Sequence, residues 1–228
     1  MFDMDGTLLD LHFDNYFWLT LVPKIYSENH NISKKEAFNV VQMKTEKVRG
    51  TLNWYCLDYW EKELQINISK LKTHITHKIT LRPNVELFLS ALKEQGKHLL
   101  LVTNAHPVSL SIKMKHTEIS GYFHQLISSH NLKLAKENHG FWNKLQRIEA
   151  YNPERTILFD DSLPVLHQAK RAGIKYLYGI RRPDSHSLPI SYTDFPLVED
   201  FKHLTPVAWN TVQNDREKRD NRASSLTN

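Results

Sequence analysis

Two hydrophobic rhythms divide the chain. From about residue 12 to residue 80, apolar and aromatic positions recur every three to four residues, the period of helices with one buried face. Ser33-x-x-Glu36 supplies a capping box at one helix start, and Gly50 supplies a break further on. Several helices are therefore expected over 12–80. Beyond Arg82-Pro83 the pattern alternates between amphipathic stretches and short, strongly apolar runs, the signature of βαβ units and a parallel sheet.

The individual elements follow from this alternation. Pro83 to Gln95 is predicted as a helix closed by Gly96, and His98 to Val102 as a buried strand running into Thr103-Asn104. Pro107 to Lys115 predicts a helix, Gln125 to Ser128 a short strand, and Glu137 to Ala150 a further helix. Thr156 to Phe159 predicts a strand ending at Asp160-Asp161; a helix over Leu163–Ala172 stops at Gly173, and Ile174 to Tyr178 forms the next strand. At the amino end, Met1-Phe2 leads directly into Asp3-Met4-Asp5-Gly6-Thr7-Leu8-Leu9-Asp10, an apolar entry into a polar turn.

The expected architecture is α/β: a doubly wound, Rossmann-like parallel sheet interrupted just after its first strand by an inserted helical cap. The core comprises 1–11 and 81–205, the cap 12–80, and a carboxyl-terminal tail 206–228. From about Asn214 the tail mixes both charge signs with few apolar anchors and is expected to be disordered.

Composition narrows the function classes. With 40% apolar and 11% aromatic residues, 228 residues can bury a substantial core. No apolar run reaches the roughly 20 residues needed to span a bilayer, and the opening residues lack the pattern of a signal peptide, so a cytoplasmic protein without a membrane partner is expected. One cysteine, Cys56, allows no internal disulfide and no cysteine-only zinc cluster. The formal charge of +5 is spread among acidic residues rather than gathered into a block, which argues against a dedicated nucleic-acid surface. The oligomeric state is not encoded in these features.

Three apolar strands end in polar residues: Asp3 and Asp5, Thr103 and Asn104, Asp160 and Asp161. In an open parallel sheet, ligands bind beyond the carboxyl ends of the strands, so these residues are expected to converge. Four carboxylates in one crevice repel each other unless a cation lies among them, and an all-oxygen site with room for water and phosphate suits Mg²⁺. The Asp-x-Asp-Gly-Thr spacing gives one carboxylate at the strand end, able to attack phosphorus, and a second in the turn, able to reach the leaving oxygen. Gly6 permits the sharp turn and close backbone approach to phosphate. His74 and His77 lie three apart but lack a third ligand nearby, and the aromatic stripe Trp54, Tyr55, Tyr59 and Trp60 is expected mainly to fill a helical core.

Asp3-Met4-Asp5-Gly6-Thr7 resembles the first motif of haloacid dehalogenase-superfamily phosphatases. Thr103-Asn104 is similar to the second motif, whose hydroxyl binds phosphate; Lys136, expected at a helix start, resembles the third-motif lysine, with Lys133 the rival; and Asp160-Asp161 resembles the acidic fourth motif. The resemblance implies Asp3 as nucleophile, Asp5 as proton donor and acceptor, Gly6, Thr103, Asn104 and Lys136 as phosphate binders, and Asp3, Asp5, Asp160 and Asp161 around Mg²⁺. Three further stretches, Phe13 to Trp18, Thr51 to Trp60 and Leu101 to Pro107, resemble bacterial purine 5′-nucleotidases of this superfamily that act on GMP and IMP. A small phosphate monoester, a purine nucleotide, is thus the implied substrate. The same core would also serve a sugar-phosphate phosphatase, a phosphomutase or a weakly active binding protein. With only Met1 and Phe2 before the nucleophile, the first strand is expected either to continue from an upstream extension or to fray, losing ladder hydrogen bonds and burial.

Overall fold

The computed structural model describes residues 1–191 and 193–204. The tail expected over 206–228, including its disorder, lies outside the described residues, as does the last position of the expected core. Among the described residues, five parallel strands flank a short central segment. β1 (Leu100–Thr103) pairs with β2 (Gln125–Ser128); β3 (Ile157–Phe159) pairs with β4 (Tyr176–Ile180), which pairs with β5 (Leu197–Val198). Phe2 lies between β1 and β3, bridging Leu101 and Phe159 in parallel sense. The sheet order is therefore β2, β1, the Met1–Asp3 segment, β3, β4, β5.

That central segment is short but not frayed. Phe2 N donates to Leu100 O at 2.9 Å and Val102 N to Phe2 O at 2.8 Å; on the other side Asp3 N donates to Phe159 O and Phe159 N to Met1 O, at 2.9 and 3.1 Å. The expected loss of ladder bonds and burial is not seen. Phe2 is buried, stacked on Phe159 with ring centroids 5.1 Å apart, and met edge-on by Phe88 and Phe123. Aromatic area of this kind anchors a strand that is too short to be held by backbone pairing alone.

Helices cover both faces. α7 (Val85–Glu94) and α8 (Pro107–Thr117) lie on one side in sequence with β1; α9 (Ser129–Leu132), α10 (Phe141–Ile148) and α11 (Leu163–Arg171) follow β2 and β3. Phe141, Trp142 and Leu145 of α10 and Val165, Leu166 and Ala169 of α11 join Leu100, Val102, Leu158 and Leu177 in one buried cluster. Boundaries differ from expectation where backbone geometry intervenes. Asn84, at φ +61°, starts α7 at Val85 rather than Pro83, and Gly140, at φ +87°, starts α10 at Phe141 rather than Glu137. Lys136 consequently does not begin a helix; it lies in the turn between α9 and α10. β4 sits two residues later than expected, with Ile174 buried ahead of it.

Between Asp10 and Leu81 the chain is helical, as its periodicity predicts. α1 (His12–Tyr16) runs through a π-helical turn (Phe17–Leu21) into α2 (Val22–His30), which stops at Asn31 in the left-handed conformation. α3 (Lys34–Val48) starts where Ser33 Oγ accepts from Glu36 N at 3.2 Å, and α4 (Leu52–Tyr55), α5 (Leu57–Leu64) and α6 (Ile68–His74) follow. The insertion enters and leaves through a two-chain stem: Leu9 and Leu81 form an antiparallel bridge, Asp10 N donates to Thr80 O and Arg82 N to Leu8 O. Its apolar residues Phe13, Phe17, Val41 and Trp60 belong to the same cluster as Phe2, Leu89 and Phe159. The stem places the insertion over the carboxyl ends of the strands.

Candidate active site

The strand order reverses direction at the Met1–Asp3 segment, with β1 and β2 on one side and β3 to β5 on the other. Such a switch point opens a crevice at the carboxyl ends of its flanking strands. Three polar strand ends enter it. Asp3 follows the central segment, Thr103-Asn104 ends β1 and Asp160-Asp161 ends β3. Lys136 completes the group: its Nζ donates to Asp3 Oδ1 at 2.5 Å, to Asp160 Oδ2 at 2.6 Å and to Val102 O at 3.1 Å. Lys133, the rival lysine, is exposed with φ +56°. The turn is drawn inward because Lys136 N donates to Asn104 Oδ1 at 2.8 Å, so the side chain at the end of β1 fixes the backbone that carries the lysine.

Burial dominates the electrostatics. Desolvation pushes the Asp3 carboxyl up to about 6, opposed by Lys136 and reinforced by Asp160. Asp161 is raised well above the ordinary carboxylate range by burial and by the neighbouring Asp3 and Asp160. Burial alone would lower the Lys136 ammonium, yet Asp160 and Asp3 outweigh it and raise its pKa. The crevice thus holds more negative charge than one lysine neutralises.

A divalent cation fits this surplus. Asp3, Asp160 and Asp161 each present a carboxylate oxygen, and those oxygens lie within 4.8 Å of one another. Three hard oxygen donors match the preference of Mg²⁺ for oxygen ligands, few of them from the protein. Gly6 makes the approach possible. It stands at φ +79°, and a Cβ placed on it would meet Asp161 Oδ2 at 2.5 Å, a distance that real side chains do not tolerate.

Asp5, expected among the metal carboxylates, is directed elsewhere. Its Oδ1 accepts from Lys113 Nζ at 2.6 Å, Lys113 also donates to Asp14 Oδ2 at 2.5 Å, and Lys72 Nζ donates to Asp14 Oδ1 at 2.8 Å. The chain of contacts joins the Asp3–Thr7 turn, α8, α1 and α6. Burial raises the Asp5 carboxyl to about 6 against the pull of Lys113, whereas Lys113 and Lys72 together overcome burial at Asp14 and hold it near 2. Sequence reading missed all three partners. A signal existed: Lys113 falls three residues after Leu110 and one before Met114, on the buried face of α8, where a lysine has no solvent to face.

The remaining expected residues divide by role. Thr103 Oγ1 accepts from Ala105 N at 3.0 Å, which leaves its hydroxyl hydrogen to donate. Asn104 has both ends engaged: Oδ1 holds the Lys136 amide, and Nδ2 donates to Glu137 Oε2 at 2.8 Å. Glu137 Oε1 in turn accepts from Tyr55 Oη of the insertion at 2.9 Å, and Asn138 Nδ2 donates to Gly50 O at 2.9 Å. Beneath the insertion lies a cavity of about 380 Å³ reaching from Asp5 and Asp14 to Trp18, Arg49, Trp54 and Tyr55. Of the aromatic stripe, Trp60 is buried with its Nε1 donating to Trp54 O at 2.8 Å, and Tyr59 packs against it; Trp54, covered by the Arg49 guanidinium 4.7 Å from its ring, faces the cavity.

Comparison with known proteins shows the family. The haloacid dehalogenase-like hydrolase family profile matches residues 1–178. The chain is 38% identical over 206 residues to the GMP/IMP nucleotidase YrfG of Escherichia coli K12, covering 90% of this chain and 93% of that protein. It is 24% identical over 191 residues to a phosphorylated carbohydrates phosphatase of Thermotoga maritima, covering 79% and 83%. A haloacid dehalogenase-type phosphatase from Thermococcus onnurineus superposes with a TM-score of 0.75 at 21% identity, covering 91% of this chain and 95% of that one, a likeness of fold.

Proposed function

The chain belongs to the haloacid dehalogenase-like hydrolases and is a phosphatase of that type; from that premise we propose that it dephosphorylates purine 5′-mononucleotides such as GMP and IMP through an aspartyl-phosphate on Asp3. One observation carries the proposal: Lys136 Nζ joins Asp3 to Asp160 in a crevice where Asp161 also contributes a carboxylate. Asp3 is the strand-end carboxylate placed to attack phosphorus, the bond from phosphorus to the nucleoside 5′-oxygen breaks, and Asp5 gives that oxygen its proton. In the second displacement Asp5 accepts a proton from water as the water oxygen attacks phosphorus and releases Asp3. Lys136 neutralises the nucleophile and the transferring phosphoryl group, and the Thr103 hydroxyl donates to a phosphate oxygen. Mg²⁺, held by Asp3, Asp160 and Asp161, would supply further charge neutralisation.

The insertion acts as a cap over 12–80, with 1–11 and 81–205 as the core it closes upon; the Tyr55–Glu137 and Asn138–Gly50 hydrogen bonds are its closed-state contacts. Closure excludes water from phosphoryl transfer. Two features support a purine: the relative that acts on GMP and IMP aligns over both core and cap, and the cavity, within the size range of small-molecule sites, offers the Trp54 and Trp18 rings to a flat base.

The test is a panel of nucleoside monophosphates against hexose and triose phosphates, with and without Mg²⁺. GMP and IMP are expected to be turned over fastest, only with Mg²⁺, and Asp3→Asn to abolish turnover while leaving the melting temperature near that of the parent. Preference for a sugar phosphate would remove the purine assignment, absence of all turnover would leave a binding protein, and an active Asp3→Asn would remove Asp3 as nucleophile.

A further inference from the structure

Outside the carboxylate crevice, a second cluster of ligating side chains crosses from the insertion to the core. Cys56 lies between α4 and α5, in extended backbone at φ −85° and ψ 113°. His106 precedes Pro107 at the start of α8, and His130 lies in α9. One ligand atom from each of the three lies within 4.8 Å of the others. The two imidazole rings are 4.9 Å apart at 79°, one edge-on to the other. His106 Nδ1 accepts from Val108 N, which leaves Nε2 as its outward nitrogen, and Asp58 Oδ2 of α5 lies 3.6 Å from that Nε2.

One nitrogen of the cluster is poorly satisfied within the protein. His130 Nε2 is buried without a hydrogen bond of good geometry, although the Asn104 and Tyr55 backbone carbonyls lie close enough to interact with the imidazole. Leaving a buried polar nitrogen poorly satisfied is unfavourable. It calls for a ligand, and its neighbours are a thiol, a second imidazole and a carboxylate.

We propose that Cys56, His106 and His130 form a zinc site separate from the magnesium crevice, its fourth position open to water or to the nearby Asp58, and that Zn²⁺ bound there staples the insertion to the core. The donor set decides the metal: thiolate and imidazole are soft or borderline ligands that select Zn²⁺, whereas Mg²⁺ demands oxygen. Tetrahedral Zn²⁺ with ligands at about 2.0–2.3 Å sets its donors about 3.3–3.8 Å apart, so donors now within 4.8 Å of one another draw in by about 1 Å when the ion binds. Cys56 and Asp58 come from the insertion, His106 and His130 from the core. The ion therefore bridges the two parts at the rim of the cavity, which Tyr55, Leu57 and His106 line. Zn²⁺ holds the insertion down, and substrate entry and product release slow. Binding is independent of the proposed phosphatase reaction; only the effect on turnover rests on it.

The experiment is a Co²⁺ titration of the reduced full-length protein in excess Mg²⁺, followed by Zn²⁺ competition against a chromophoric chelator. A thiolate-to-cobalt charge-transfer band rising to one equivalent is expected, bleached by Zn²⁺. Cys56→Ser should remove the band and weaken Zn²⁺ by at least about 100-fold, since loss of an outer-shell partner alone typically costs 10–100-fold. Without Zn²⁺, Cys56→Ser should turn over substrate as the parent does; with Zn²⁺, the parent should slow several-fold and Cys56→Ser should not. No charge-transfer band, or equal Zn²⁺ affinity in parent and Cys56→Ser, overturns the site; a band with turnover insensitive to Zn²⁺ overturns the staple. The spectra read the site even if no substrate in the panel is hydrolysed.

Discussion

Lys113 Nζ donates to Asp5 Oδ1 at 2.6 Å, joining the middle of α8 to the Asp3–Thr7 turn across 108 residues. Asp5 is thereby aimed away from the oxygens of Asp3, Asp160 and Asp161, which separates the proposed acid–base carboxylate from the proposed metal carboxylates. Two functions in one short motif need two environments, and Lys113 supplies the second.

Lys113→Met should release Asp5 while Lys72 still pairs Asp14. The kcat for nucleotide is expected to fall about 10–100-fold, within the contribution of a positioned acid–base group, with KM changed far less. Steady-state kinetics with melting curves of the same variant check it. A fall in stability with kcat intact would show Lys113 to be structural only.

Lys136→Met leaves Asp3 and Asp160 buried without their cation. Breaking a buried pair in this way costs about 3–5 kcal/mol. The loss should be largest at pH 8 and smaller at pH 5, where the Asp3 carboxyl, titrating near 6, is protonated. Urea unfolding at both pH values measures it, and an equal loss at both would contradict the assignment of burial to Asp3.

Metal binding should reshape the pH dependence of stability. Asp3 and Asp5 titrate near 6 in the folded protein and near 3.8 in their ordinary state, so between these values the folded protein binds more protons than the unfolded chain. Stability from these groups is fully present below about pH 4 and is lost as pH rises through about 6. His130, held down near 4 by burial, acts in the opposite direction over part of that window, so the metal-free curve alone is ambiguous. The difference between melting temperatures with and without Mg²⁺ isolates the carboxylates: it should be several degrees at pH 8 and near zero at pH 4.5. A Mg²⁺ effect independent of pH would remove Asp3 from the metal site.

Gly6→Ala should cost about 1–2 kcal/mol from its left-handed backbone alone, and more because the new methyl meets Asp161. Asp161 must then move, and the Mg²⁺ concentration for half-maximal turnover is expected to rise about tenfold or more, as displaced metal ligation usually entails. Magnesium titration of activity provides the measurement; an unchanged requirement would place Asp161 outside the metal site.

The apolar runs of the sequence determined the strands, and with them which polar residues stand at strand ends. Asp3, Thr103, Asn104, Asp160 and Asp161 were legible for that reason: a strand delivers its terminal residue to the carboxyl edge of the sheet whatever surrounds it. Helical periodicity likewise announced the insertion, and the helical spacing of Trp60 announced its burial. Helix ends were less legible, since Asn84 and Gly140 adopt left-handed backbone that no periodicity encodes, and Lys136 sits in the turn this leaves. Only the tertiary structure decided that Asp5 faces Lys113, that Tyr55 reaches Glu137, and that Cys56 meets His106 and His130. Each of those contacts joins elements 50 or more residues apart in sequence, and their meeting depends on how the insertion docks above the sheet, a sum of many weak packing terms that no local stretch of residues contains.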